Sequence, residues 1–166
     1  MRLFAAIQPS PSFRDALAEL QGRLRAAGVA GRYRGPESLH LTLAFIGEWP
    51  DDVTEILPAV RRPFPLTLSH PGVFSRANVL WAGVEPSEEL DELAEKVRNS
   101  LAGKGIPFDG KPFCPHITLA RKPAVPEGVL LPEIAVPRAA MTVRDVCLYR
   151  SCPGGVYTVI GRGPGK

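Results

Sequence analysis

Two short stretches of this chain carry the residue types of acid–base chemistry at the same spacing. They read His40-Leu41-Thr42-Leu43-Ala44-Phe45 and His116-Ile117-Thr118-Leu119-Ala120-Arg121, and they lie 76 residues apart. With only three histidines and six threonines in the chain, two His-x-Thr pairs in matching aliphatic settings are not expected from composition. Imidazole has an ordinary pKa of about 6.5, so near neutral pH it serves as either acid or base. A threonine hydroxyl donates a hydrogen bond to an anionic oxygen. Alternate side chains of a strand share a face, so each histidine stands beside its threonine while the aliphatic residues point into a core. Two such strands brought together surround one small space with two imidazoles and two hydroxyls, which suits acid–base chemistry on a phosphate.

The elements that must position these strands are also written twice. Leu3-Phe4-Ala5-Ala6-Ile7 matches Leu80-Trp81-Ala82-Gly83-Val84 at an offset of 77, and both read as buried strands. Pro9-Ser10 and Pro86-Ser87 then give matching helix starts. The apolar faces agree in turn: Phe13, Ala16, Leu17, Leu20 and Leu24 in one helix, Leu90, Leu93, Ala94, Val97 and Leu101 in the other. Gly28 and Gly105 end them. One residue is then lost, Pro36 matches Pro112 at an offset of 76, and the His-x-Thr strands follow.

Elsewhere, helical spacing over 51–62 predicts a third helix, weakened by Pro58. Alternation predicts strands at 65–70, 141–149 and 155–160, with a hairpin turn over 151–154 between the last two. A further strand, interrupted by Pro132, is read over 129–136. The expected fold is α+β, with two pseudo-symmetric lobes, antiparallel sheets lining a central cleft and helices outside. The whole chain, 1–166, reads as one bilobal domain with repeat halves of about 2–76 and 78–162.

Composition narrows the function. The 45% hydrophobic fraction fills an ordinary core, and a net charge of +3 is too small for a long duplex-binding surface. Fifteen of the 20 basic residues are arginine, whose planar fork suits phosphate oxygens. No window approaches the roughly 20 apolar residues of a membrane helix, and the apolar run at the start is short for a secretory signal. Three cysteines, at 114, 147 and 152, are too few and odd in number for a disulfide framework, which points to a reducing cytoplasm.

The motif-bearing stretches resemble the 2H phosphoesterase superfamily, and within it the RNA 2′,3′-cyclic phosphodiesterase (2′-5′ RNA ligase-like) family. They are Arg2-Leu3-Phe4-Ala5-Ala6-Ile7, residues 39–48 around His40, Val79-Leu80-Trp81, residues 112–121 around His116, and Tyr157-Thr158. The resemblance implies the 2H phosphoesterase fold and metal-independent opening of an RNA terminal 2′,3′-cyclic phosphate to a 2′-phosphomonoester. It implies His40 as proton donor and His116 as proton acceptor, a choice that the near-identical motifs do not make by themselves. It implies Thr42, Thr118 and Arg121 on the phosphate, Phe45 stacked on the base, no cofactor, and RNA with cyclic phosphate ends as partner. No protein partner is implied, and a monomer suffices to build the cleft. Two departures, Tyr33-Arg34-Gly35-Pro36 and Ala44, bear on which substrate ends are preferred.

Strict alternation sets Phe45 and Arg121 on the opposite face from their histidines, in the core and on the surface. Only a bulge returns them to the cleft. A zinc reading would group Cys114, His116 and His40, although the other cysteines lack ligand spacing. His70, before Pro71-Gly72, reads as a turn residue, and Trp81 as core like its counterpart Phe4. Other functional readings are a non-catalytic RNA- or nucleotide-binding module, a 2′-5′ RNA ligase, and a phosphodiesterase for small cyclic nucleotides or 2′-5′ oligonucleotides.

Overall fold

The computed structural model of the protein describes residues 1–164. Its first half runs β1 (Arg2–Ile7), α1 (Pro11–Ala26), β2 (Ala30–Tyr33), β3 (Leu41–Glu48) and β4 (Phe64–Phe74). The second runs β5 (Val79–Val84), α2 (Glu88–Gly103), β6 (Ile117–Ala124), β7 (Ala140–Val143), β8 (Val146–Cys152) and β9 (Val156–Gly163). Both helices form where the apolar spacing puts them, burying Phe13, Leu17, Leu20 and Leu24 in α1 and Leu90, Leu93, Ala94, Val97 and Leu101 in α2. Ser10 Oγ accepts from the Phe13 amide at 3.3 Å and Ser87 Oγ from the Leu90 amide at 3.1 Å, caps worth about 1 kcal/mol each. Gly28 and Gly105 leave the helices at φ of 94° and 68°, backbone that a Cβ would oppose.

The fold is α+β. All strand pairs are antiparallel, in the order β7-β4-β5-β6-β3-β1-β8-β9, with β2 added to β6. One large core holds the buried faces of both helices together with Leu3, Leu41, Leu43, Leu80, Ile117 and Leu119. A smaller cluster of Phe4, Ala6, Cys147 and Tyr149 is separate from it and is joined by Phe45 and Tyr157. The sequence halves and the spatial lobes do not coincide, because the outer strands are exchanged. β4 of the first half pairs with β5, and β8 of the second half pairs with β1. Neither half closes its own sheet.

The two lobes are joined along the sheet by one residue pair, Leu41 opposite Ile117. These are the middle residues of the two His-x-Thr motifs. Where β3 and β6 part, β2 fills the widening gap by pairing with β6 from Tyr33 to Ala30.

Both motif strands carry a bulge at the same place. Along β1 the partner steps from Thr42 to Ala44, which leaves Leu43 as the extra residue. Along β5 it steps from Thr118 to Ala120, which leaves Leu119 extra. A bulge disrupts the ladder locally, so its polar groups need other partners. Leu119 O accepts from Gln21 Nε2 at 3.0 Å and from the Arg34 amide at 2.8 Å. Leu43 O accepts from Arg98 Nε at 3.2 Å. Gln21 and Arg98 occupy equivalent positions of α1 and α2, so each helix holds the bulge of the strand that follows the other helix.

Several expectations are corrected. The segment 51–62 holds only a 3-10 turn, Thr54–Ile56, because Asp52 Oδ1 accepts from both the Thr54 amide at 2.8 Å and its hydroxyl at 2.5 Å. That local bonding competes with a helix, and Pro58 ends any continuation. The segment 129–136 holds a 3-10 turn, Leu131–Glu133, instead of a strand. The single strand read over 141–149 is two, since the chain crosses from β4's edge to β1's edge at Arg144-Asp145. His70 and Pro71-Gly72 lie inside β4, which absorbs the proline at an irregularity between Leu68 and Pro71. Trp81 is half-buried, outside the main core, and packs on Gly72, where any Cβ would strike the indole. Among the described residues no helix is long and apolar enough to cross a membrane.

Gln21 is 4% exposed and also donates to Arg34 O at 3.0 Å, so replacing it strips partners from two carbonyls. Gln21→Leu is expected to cost about 1–3 kcal/mol, read as a lower urea midpoint with an unchanged denaturant slope. An unchanged midpoint would mean that the bulge needs no clamp.

Candidate active site

The joining pair fixes the layout of the four motif residues. Leu41 and Ile117 are the first residues of β3 and β6, and His40 and His116 immediately precede them, so antiparallel geometry about this pair brings position 40 toward 118 and position 42 toward 116. The histidines therefore occupy one diagonal of a small quadrilateral and the threonines the other. His40, Thr42 and Thr118 line one cleft. His116 stands close enough that its charge acts against charge on His40.

The bulges decide the fate of Phe45 and Arg121. With Leu43 and Ala44 both turned into the core, the next residue returns to the face of Thr42. Leu119 and Ala120 do the same for Arg121. Phe45 and Arg121 accordingly line the cleft with His40 and the threonines, where strict alternation would have removed them. Ala44 is fully buried beneath the bulge and has no route to a ligand.

Each imidazole is oriented in the same way. His40 Nδ1 lies 2.8 Å from Ser38 O, and His116 Nδ1 lies 2.7 Å from Cys114 O. A carbonyl oxygen only accepts, so Nδ1 carries the hydrogen on both rings and Nε2 is left for proton transfer. Cys114 takes part through its backbone, and its thiol is exposed. Among the described residues no group of three His, Cys, Asp or Glu side chains is placed to hold a metal ion, so Cys114, His116 and His40 do not assemble as the zinc reading required.

The surroundings of the two rings differ. His40 packs against Phe4, with centroids 4.6 Å apart, and meets Tyr149 at 5.5 Å and the Tyr157 ring edge-on at 5.3 Å. His116 meets Phe74 edge-on at 5.0 Å. Burial among the aromatics lowers the His40 pKa to about 4, and positive charge on Arg34 and His116 pushes the same way. The Ser38 carbonyl opposes the shift by stabilising the protonated ring. The shift favours the neutral His40 ring at pH 7.

Residues with no individual role in the sequence reading complete the site. Arg2, Arg34, Ser151 and Tyr157 also line the cleft. The Arg2 guanidinium lies 5.3 Å from the Phe45 ring centroid, and Arg34 Nη1 donates to the Tyr157 hydroxyl at 2.6 Å. Tyr157 was singled out only as part of a matching stretch. Gln21 alone gave a local signal, as a polar residue within an apolar helical stripe.

A profile of the 2′-5′ RNA ligase superfamily matches residues 9–153. The RNA 2′,3′-cyclic phosphodiesterase of Thermotoga maritima is 31% identical over 175 residues, spanning 96% of this chain and 93% of that protein. The RNA 2′,3′-cyclic phosphodiesterase of Escherichia coli is 35% identical over 137 residues, spanning 79% of this chain and 76% of that protein. The crystal structure of E. coli LigT complexed with 3′-AMP superposes with a TM-score of 0.74 at 30% identity, covering 97% of this chain and 95% of that one.

The lowered His40 pKa has a measurable sign. Between the unfolded value of about 6.5 and the folded value of about 4, the unfolded chain binds the extra proton and the folded one does not. Acidification through that window is expected to destabilise the fold. In an NMR titration the His40 ring should stay neutral at pH 6 and titrate near pH 4, and Arg34→Met should move that midpoint upward. A His40 midpoint near 6.5 would contradict the desolvation argument.

Proposed function

The chain belongs to the 2′-5′ RNA ligase superfamily, and we propose that it hydrolyses the 2′,3′-cyclic phosphate at the end of an RNA strand. The reaction is attack of water on phosphorus in line with the departing 3′ oxygen. His116 Nε2 takes the proton of the attacking water as the new P–O bond forms. The P–O3′ bond breaks, and His40 delivers a proton to that oxygen. The products are a 2′-phosphomonoester and a free 3′-hydroxyl. Thr42 and Thr118 donate to the non-bridging oxygens, where negative charge grows in the transition state, and Arg121 adds a fixed positive charge. Phe45 stacks on the terminal base, and neither metal nor cofactor takes part.

The observation that carries this reading is the Leu41–Ile117 pair, from which the crossed diagonals follow. In-line displacement needs its acid and base at opposite apices of the phosphorus and its anion stabilisers between them. Histidines and threonines on crossed diagonals meet that demand. The anchored Nδ1 atoms add a second support, since both rings then present the same nitrogen.

The resting charge of His40 bears on the assignment. A donor must hold a proton, whereas burial favours the neutral His40 ring. An arriving phosphate monoanion favours the protonated ring. The same observation favours a second reading with the roles exchanged, His40 as base and His116 as acid.

A substrate with sulfur in place of the 3′ bridging oxygen separates the two, because a thiolate leaves without a proton. In excess EDTA, His40→Ala and His116→Ala should each lose about 10²–10⁴-fold on the oxygen substrate. On the sulfur substrate His40→Ala should recover while His116→Ala stays low. Recovery by His116→Ala instead establishes the exchanged roles. Full activity of either variant on the oxygen substrate would end the two-histidine mechanism, and loss of wild-type activity in EDTA would end the metal-free one.

A further inference from the structure

Two charges in the cleft, Arg2 on β1 and Arg34, come from outside the His-x-Thr strands, and the reaction proposed above leaves both unused. Arg34 follows β2 on the β6 side of the cleft. Its amide donates to Leu119 O at 2.8 Å and its carbonyl accepts from Gln21 Nε2 at 3.0 Å, so its backbone is fixed. The side chain then crosses to the other lobe. There Nη1 donates to the hydroxyl of Tyr157 on β9, at 2.6 Å, and the guanidinium lies 5.3 Å from that ring's centroid.

This is an expensive place for a cation. Arg34 is half-buried, among the described residues no carboxylate pairs with it, and no Asp or Glu lines the cleft. Its charge also opposes protonation of His40. Arg2, Arg34 and Arg121 give the cleft three guanidinium groups, whereas a cyclic phosphodiester carries a single negative charge. Arg121 stands beside Thr118, where that charge is already served, and Arg2 faces Phe45. Arg34 is tied to Tyr157, on the outermost strand of the His40 lobe, and neither residue belongs to the strands that carry the threonines.

We propose that Arg34 binds the phosphate on the 5′ side of the nucleotide being opened, so that the cleft selects a terminal nucleotide carrying a 5′-phosphoryl group. The inference rests on the nucleotide reading of the cleft given above. A planar guanidinium has five donors, and Tyr157 engages one while leaving the fork able to take a phosphate through two others. Holding the side chain in advance removes part of the rotamer entropy that binding would otherwise cost. An RNA end and a free 5′-phosphorylated nucleotide share this chemistry; a cyclic mononucleotide without a 5′-phosphate lacks it.

Calorimetric titration of the intact protein with adenosine 2′-phosphate and adenosine 2′,5′-bisphosphate reads the preference without turnover. Wild type should bind the bisphosphate about tenfold more tightly, the effect of one charge-assisted contact. Arg34→Met should abolish the preference and Arg2→Met should keep it. Tyr157→Phe, which retains the charge but releases the guanidinium, should reduce it, and thermal melting confirms that each variant is folded. No preference in wild type, its survival in Arg34→Met, or its loss in Arg2→Met alone would overturn the proposal. Turnover of a cyclic-phosphate end by the wild type is scored separately. A protein that hydrolyses that end yet shows no 5′-phosphate preference refutes only the role of Arg34, whereas one that does not hydrolyse it refutes the catalytic reading.

Discussion

The structure turns on a single backbone contact, Leu41 opposite Ile117. An antiparallel pair between equivalent residues of a repeat lies on a local twofold axis, so everything one residue away is fixed in crossed pairs. That geometry brings His40 toward Thr118 and His116 toward Thr42. A slip of one residue would turn all four side chains to the other face of the sheet. The exchanged outer strands protect the register, since each half of the chain must pair with the other before either lobe closes.

A regular strand would still have given an incomplete cleft. Period-two alternation allows a strand to offer residues 40 and 42 to one face but sends 45 to the other. Leu43 and Leu119 break the alternation, and the breaks are held from behind by Arg98 and Gln21. The helices therefore do more than cover the sheet. Each supplies one polar side chain through the apolar layer to a carbonyl that the ladder has released, and the turn of Phe45 and Arg121 into the cleft goes with that bond.

Symmetry of sequence does not carry over to chemistry. The two imidazoles are anchored alike at Nδ1, yet Phe4, Tyr149 and Tyr157 desolvate one of them while a single aromatic edge meets the other. The divergence begins in the outer strands, where β8 sets Tyr149 against Phe4 with the rings stacked at 4.9 Å, and β4 sets Gly72 under Trp81. Acid–base catalysis needs two groups that differ in charge at one pH, and a duplicated motif acquires that difference only through unequal neighbours. The difference seen here, which favours a neutral His40 ring, runs with the exchanged roles, and the sulfur substrate reads which assignment operates.

Much of this was legible in the residues. The duplicated His-x-Thr pairs, the two capped amphipathic helices and their glycine ends are local patterns, set by periods of 2 and 3.6 and by the conformational freedom of glycine, and they appear where the spacing put them. The third helix over 51–62 was misread because a periodic apolar pattern there loses to an aspartate that bonds its own backbone. The bulges, the strand exchange and the bond from Arg34 to Tyr157 had no local signature. Arg34 and Tyr157 stand 123 positions apart, and nothing in either neighbourhood encodes the other. The chain alone thus supplied the reacting groups and the elements that bear them, because those depend on neighbours a few residues away. Which face Phe45 and Arg121 take, which imidazole loses its water and where the third guanidinium lies depend on segments brought together only by the closed sheet, and tertiary packing decided them.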